Sequence, residues 1–227
     1  MISVDTVYQR VLAILNKENR GYMTPQEFNL LANQAQLEVF EQYFYDLNQF
    51  NRLGEITNEA ANIVSNIKEK INLFKTVVTL SKTGNTFSLP SNMYRLGTVY
   101  YNDAIEVDEI DQNEYLFINS SPLTKPSTKI PVYIRNGNNI TVYPATILSG
   151  IKCTIIKTPA NVEWAYQNVN NVALYDASAS QDFELHESDE TVLVYKILSY
   201  AGLVIKQADI SQIADQKDVV KTQKEKS

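Results

Sequence analysis

The sequence predicts an α+β protein with N-terminal helices, a small antiparallel β module in the middle, and a long C-terminal helix. Two changes of hydrophobic period carry this expectation. Apolar residues recur at helical spacing up to residue 74, alternate with polar ones over 75–164, and return to helical spacing from residue 183. The expected organisation is a helical domain made of 1–74 and 183–227, an antiparallel β module over 75–164, and an irregular connecting segment over 165–182 that is rich in Asn, Ser and Ala.

In the first helix, Val4, Val7, Val11, Ile14 and Leu15 share one face, and Ser3 stands where an N-cap is wanted. The second opens with Thr24-Pro25-Gln26-Glu27, a Thr cap with Pro at the first helical position and Glu at the third, which is a capping box. Phe28, Leu31, Ala35 and Val39 form one stripe on it, and Leu30, Leu37, Phe44 and Leu47 form another. Two stripes imply burial on two sides, one against the domain's own core and one against a partner. A third helix follows Thr57, with Ile63, Val64, Ile67, Ile71 and Phe74 on one side.

Strands are expected over Thr76 to Leu80 and Thr86 to Leu89, joined by a turn at Lys82-Thr83-Gly84-Asn85, and over Leu96 to Tyr101 and Ala104 to Val107, joined by Asn102-Asp103. Asp108 to Ile118 reads as a short helix. The segment 119–129, with its prolines and serines, reads as an exposed, mobile loop. The strongest hairpin signal joins Val132 to Arg135 with Asn139 to Tyr143 through Asn136-Gly137-Asn138. Ile151 to Lys157 adds a strand that Pro159 stops. In the closing helix Ser188 is the expected cap, and Asp189 and Glu190 fall in the first turn, where the helix dipole favours acids. Leu193, Ile197, Ala201, Val204, Ile205, Ala208 and Ile213 line its apolar face, and the charged end 221–227 is expected to fray.

The 227 residues are 44% hydrophobic and 20% charged, the profile of a folded chain. Fourteen tyrosines suit half-buried surfaces that meet other proteins, and equally suit an Asn- and Tyr-rich proteome of low GC content. A net charge of −6 without a basic cluster argues against a protein that grips nucleic acid through phosphates. One cysteine, Cys153, excludes an internal disulfide framework and a Cys-based zinc cluster; its apolar run favours a core residue over a reactive thiol. The opening residues have neither the basic region nor the apolar stretch of a signal peptide, and no run approaches the ~18 apolar residues of a membrane span, so synthesis and folding in a cytoplasm without a membrane partner are expected.

Chemistry is sparse. His186, between Leu185 and Glu187, lacks a second His or a Cys with which to build a zinc site, and Gly-x-Ser-x-Gly is absent. The carboxylates of Asp108-Glu109-x-Asp111 and Asp189-Glu190 open expected helices, so dipole compensation explains them better than a glycosidase pair. Phosphate loops and calcium loops are missing. No catalytic, cofactor-binding or metal residue is assigned, no cofactor is expected, and the chain reads as a non-enzymatic structural subunit.

Three segments together resemble the head-to-tail connector proteins of tailed bacteriophages, and most closely the ring proteins of crAss-like phages with short tails. The first is Phe87-Ser88-Leu89-Pro90-Ser91-Asn92-Met93-Tyr94-Arg95-Leu96, similar to that family's Leu-Pro-x-x-Phe/Tyr-Arg element. The second is the hairpin from Pro131 to Tyr143-Pro144, followed by Ile155-Ile156-Lys157-Thr158-Pro159 and Trp164. The third runs from Phe183-Glu184-Leu185 to Ala201-Gly202 in the closing helix, and the Thr24 helix start is similar as well. The segments 119–129 and 165–182 match no part of that pattern, which leaves the position in the connector stack open.

The resemblance implies a virion protein forming a ring, a dodecamer, below the portal. Its partners would be copies of itself, the portal protein and other tail or ring proteins, with genomic DNA passing through the lumen and read without sequence specificity. An acidic subunit suits a wall that must not hold moving DNA. Two other readings remain: another virion structural protein of the tail or capsid, and a tail-associated cell-wall hydrolase. Expected interface residues are Phe28, Leu37, Phe40 and Phe44 on the second helix, Leu123 in the 119–129 loop, and Gly202 and Ile205 on the last helix. A glycine inside a helix costs about 1 kcal/mol relative to Ala, so Gly202 is expected to admit a neighbouring backbone, and Gly202→Leu to harm assembly more than folding.

Overall fold

The computed structural model describes residues 1–17, 23–52, 58–170 and 172–204. Three helices come first, α1 (Val4–Lys17), α2 (Pro25–Arg52) and α3 (Asn58–Asn72). Strands β1 (Lys75–Thr79), β2 (Lys82–Thr83), β3 (Thr86–Ser88), β4 (Met93–Tyr101) and β5 (Ile105–Glu109) follow. Helix α4 (Gln112–Ser120) leads to β6 (Val132–Asn136), β7 (Asn139–Tyr143) and β8 (Ile151–Lys157). The small hairpin β9 (Tyr166–Val169) and β10 (Val172–Tyr175), a single 3-10 turn (Glu187–Asp189) and α5 (Glu190–Val204) come last. The protein is mixed α and β, and divides into two compact units, 1–73 with 159–227, and 74–158.

In the helical unit the capping box forms as its sequence requires. Thr24 N–H donates to Glu27 Oε2 at 2.8 Å and Glu27 N–H donates to Thr24 Oγ1 at 3.3 Å. These bonds hold the Glu27 carboxyl below the usual carboxylate range, the backbone contribution being the larger. Ser3 Oγ accepts from Thr6 N–H at 3.4 Å, and Asp182, distant in sequence, accepts from Val4 N–H at 2.8 Å, so α1 is capped twice. Val4, Val7, Val11 and Leu15 are fully buried. Helix α5 buries Leu193, Val194, Ile197, Leu198 and Ala201, more than one face, and packs against both α1 and α2. Lys196 reaches Glu38 of α2 at 3.0 Å, and Tyr200 donates to the same carboxylate.

Three expectations change in this unit. The expected boundary at 164 moves to 158/159, because residues 160–164 are strapped to α2 by its side-chain amides: Asn29 bonds the backbone of Trp164, Asn33 that of Val162, and Gln36 the carbonyl of Ala160. The segment 165–182 is not irregular throughout, since β9 and β10 pair there, and Tyr166 and Tyr175 stack on the buried Trp164. Alternation in Tyr166-Gln167-Asn168-Val169 is too short to stand out from its polar surroundings. Ser188 lies inside a 3-10 turn that precedes α5, and His186 caps that turn. The stretch of the last helix beyond Val204, including Ile205, Ala208 and Ile213, lies outside the described residues.

The second unit is a curled eight-stranded sheet in the order β1-β8-β4-β5-β6-β7-β3-β2. Its inner face buries Phe87, Val99, Val107, Ile140, Ile151, Cys153 and Ile155 in one core. The sheet departs from the expected antiparallel module at one place, where β5 and β6 run parallel through Asp108↔Val132 and Glu109↔Tyr133. The chain between them includes α4, and a helical crossover is what returns a strand parallel to its predecessor. The β6–β7 hairpin tightens relative to expectation: Asn136 pairs with Asn139, which leaves Gly137 (φ +61°) and Asn138 as the turn. Asn102 and Asp103 both take positive φ at the β4–β5 turn, as their residue types allow. In the middle of β4 the register shifts between Leu96 and Val99, and Gly97 lies there because a Cβ would sit 2.9 Å from the Thr154 carbonyl oxygen.

Candidate functional site

Within the helical unit a cleft of about 350 Å³ lies among α2, α3 and the start of α5, lined by Val39, Tyr43, Ile67, Lys70, His186 and Asp189 among others. Its polar centre is Asp189, which is buried. Tyr43 Oη donates to Asp189 Oδ2 at 2.6 Å, and Lys70 Nζ donates to Oδ1 at 2.7 Å. The Lys70 ammonium also sits 5.6 Å from the centroid of the Tyr43 ring. A carboxylate with both oxygens engaged in this way ties three elements together through charge-assisted bonds. Sequence reasoning assigned Asp189 only a dipole role. No local signal marks it otherwise, because its partners are 119 and 146 residues away in the chain.

His186, the residue that most invited a catalytic reading, acts locally. Its Nδ1 accepts from the Ser188 N–H at 3.2 Å and lies 2.9 Å from Ser188 Oγ, which closes the 3-10 turn. The second carboxylate group, Asp108-Glu109-x-Asp111, is split between β5 and the residue preceding α4, with Glu109 accepting from Tyr133 Oη at 3.0 Å. Burial and that bond push the Tyr133 hydroxyl well above the usual phenol range. Cys153 is fully buried in the sheet core, and burial raises its thiol to about 11. Among the described residues no group of three or more His, Cys, Asp or Glu side chains is placed to hold a metal ion, and no helix is long and apolar enough to cross a membrane.

The expected interface residues fall into three groups. Phe28, Phe40 and Phe44 are corrected to core: all three are buried within their own chain, Phe28 edge-on to Tyr8 and Phe40 edge-on to Phe44, and they offer no surface to another subunit. The second stripe of α2 therefore splits, with Phe44 turned inward while Leu30 and Leu37 stay exposed. Gly202 is also buried in its own chain. Leu37 and Leu123 are exposed, Leu123 at 97%, and Ile205 lies outside the described residues.

One uncovered apolar feature, helix α4, was missed as such by the sequence reading. Helix α4 has no buried residue; Leu116 and Phe117 are 61% and 77% exposed, and Leu123 and Ile130 follow them at the surface. The helix is anchored by Tyr115, whose ring stacks on Tyr143 with centroids 4.0 Å apart. Desolvation, with Tyr143 beside it, raises the Tyr115 hydroxyl. No protein-family model matches the chain, and no curated protein is significantly similar to it in sequence.

Proposed function

We propose that this chain is a structural subunit of a bacteriophage virion, forming a ring in the connector between portal and tail that extends the DNA channel and attaches the tail. The observation that carries the reading is α4. A nine-residue helix is marginal in water by itself, and one that turns Leu116 and Phe117 outward without burying any residue is best explained by another protein covering it. Exposed Leu30 and Leu37 on α2 and Leu123 after α4 extend the same argument. The motifs that resemble connector ring proteins support it independently, through their order along the chain. The ring would be a dodecamer contacting the portal and other tail or ring proteins, with DNA passing through it. The net charge of −6 suits a wall that lets DNA slide.

Negative-stain imaging of the purified full chain, alone and mixed with the portal of the same phage, tests the reading. Closed rings seated on the portal are expected. A chain that stays monomeric and leaves the portal bare contradicts it, and so does cell-wall clearing in a zymogram.

A further inference from the structure

The β unit is electrically lopsided. Residues 74–158 carry eight Lys and Arg against six Asp and Glu, while the rest of the chain carries twelve against twenty. All six acids of the β unit fall between Asp103 and Glu114, and no Lys or Arg occurs between Arg95 and Lys125. Asp103 is taken up by Lys152 at 2.6 Å. The others, Glu106, Asp108, Glu109, Asp111 and Glu114, lie exposed along β5 and the first turn of α4, next to the uncovered Leu116 and Phe117.

The opposite character gathers at the β1 side of the same sheet. Lys75, Val77 and Thr79 pair with Ile156, Thr154 and Lys152, so they share the outer face, opposite buried Cys153 and Ile155. Arg95 pairs with Ile156 on β4 and extends that face. Lys75, Val77, Arg95 and Gly97 are exposed there. Val77, Thr154 and Ile156 form the apolar part of this face, with Lys75 and Arg95 beside them. Strand β1 stands three strand spacings from β5, about 14 Å.

Acidic charge with an apolar prong at one side, and basic charge with an apolar floor at the other, are complementary surfaces on one unit. A contact between the acidic side of one copy and the basic side of the next joins opposite charges, and repeated head-to-tail contacts of this kind close into a ring when their rotation closes. We propose that α4 of one copy of this chain docks on the outer face of β1, β8 and β4 of the next copy, with Phe117 and Leu116 on Val77 and Ile156, and Asp111 and Glu114 facing Lys75 and Arg95. The proposal rests on the ring reading above and names the contact that builds the ring.

Sedimentation velocity on the full chain at about 50 mM and about 500 mM salt tests it, since such a contact weakens as the screening length falls. Four variants at exposed positions are compared: D111K/E114K, K75E/R95E, both pairs combined, and Phe117→Ser. Each charge pair alone, and Phe117→Ser, is expected to weaken self-association by at least about tenfold. The combined variant, and a one-to-one mixture of the two charge variants, are expected to regain it, which also shows that the reversed chains are folded. Assembly that forms and ignores both reversals overturns this contact while leaving the ring reading in place. A wild-type chain that is monomeric both alone and with portal overturns the two together. Duplex DNA binding that K75E/R95E abolishes, with self-association unchanged, assigns the basic face to nucleic acid and overturns the proposal.

Discussion

Asn33 bonds Val162 as one strand residue bonds another: Asn33 Nδ2 donates to the Val162 carbonyl at 2.8 Å, and Asn33 Oδ1 accepts from the Val162 N–H at 2.8 Å. Asn29 repeats the arrangement with Trp164, at 3.3 and 2.8 Å, and Gln36 donates to Ala160 at 2.8 Å and accepts from Glu184 N–H at 3.2 Å. Four residues of helix rise about 6.0 Å and two residues of strand about 6.6 Å. An amide at every turn of α2 can therefore meet every second residue of an extended chain. Val162 is buried, so its backbone groups have no water to turn to. Asn33→Ala is expected to lower stability by about 2 kcal/mol. Asn33→Asp is expected to be at least as damaging, because a carboxylate cannot donate to the Val162 carbonyl. Urea unfolding of the two variants checks this; a loss below about 0.5 kcal/mol in both would remove the strap from the account.

Asp189 with Lys70 and Tyr43 is a buried charge group that holds three elements. Removing one partner strands the other charge, so Lys70→Met and Asp189→Leu are each expected to cost about 3–5 kcal/mol. The double variant should recover a large part of that loss, because the stranded charge disappears with its partner. Thermal melts of the full double-mutant cycle measure it, and simple additivity of the two losses contradicts the assignment.

Gly97 faces the Thr154 carbonyl oxygen so closely that a Cβ would stand 2.9 Å from it. Gly97→Ala is expected to cost about 1–3 kcal/mol through a forced shift of β4 against β8. Gly97→Val should cost more. The readout is the unfolding midpoint, and an unchanged midpoint in Gly97→Ala would mean that the β4 irregularity absorbs the side chain freely.

Cys153 sets a pH dependence. Burial lifts its thiol from 9.0 to about 11, so the folded chain keeps a proton that the unfolded chain releases. The stabilising contribution is complete below pH 9, declines as pH rises towards 11, and amounts to about 2 kcal/mol over that window. Unfolding free energy measured at pH 8, 9, 10 and 11 should fall less steeply in Cys153→Ala than in the unchanged chain. Equal slopes contradict the assignment. Thiol reagents at pH 8 should label Cys153 only as the chain unfolds.

Much of the local structure was legible. The Thr24–Glu27 box, the Ser3 cap, the Asn-Gly hairpin and the burial of Val4, Val7, Val11 and Leu15 all follow from neighbours a few residues apart. What failed depends on distant contacts. Asn29, Asn33 and Gln36 carry no local signal of their role, since nothing nearby announces that 160–164 will lie along them. Asp189 read as dipole compensation because its partners come from α2 and α3. Phe44 reads as partner-facing because it lies on the second apolar stripe, whereas α2 packs against both α3 and α5 of its own chain and buries Phe40 and Phe44. Exposed apolar surface remains at Leu30 and Leu37 of α2 and on α4, whose weak periodicity in Gln112–Ser120 gave only a helix and no hint of which side would be covered.

Hydrogen exchange of the α4 amides, compared between dilute full-length chain and the assembled state, tests the central claim most directly. If Leu116 and Phe117 are covered by another protein, residues 112–120 exchange quickly in the dilute chain and become strongly protected on assembly. Equal, fast exchange in both states would mean that this helix meets nothing, and the case for a ring subunit built on it would fail.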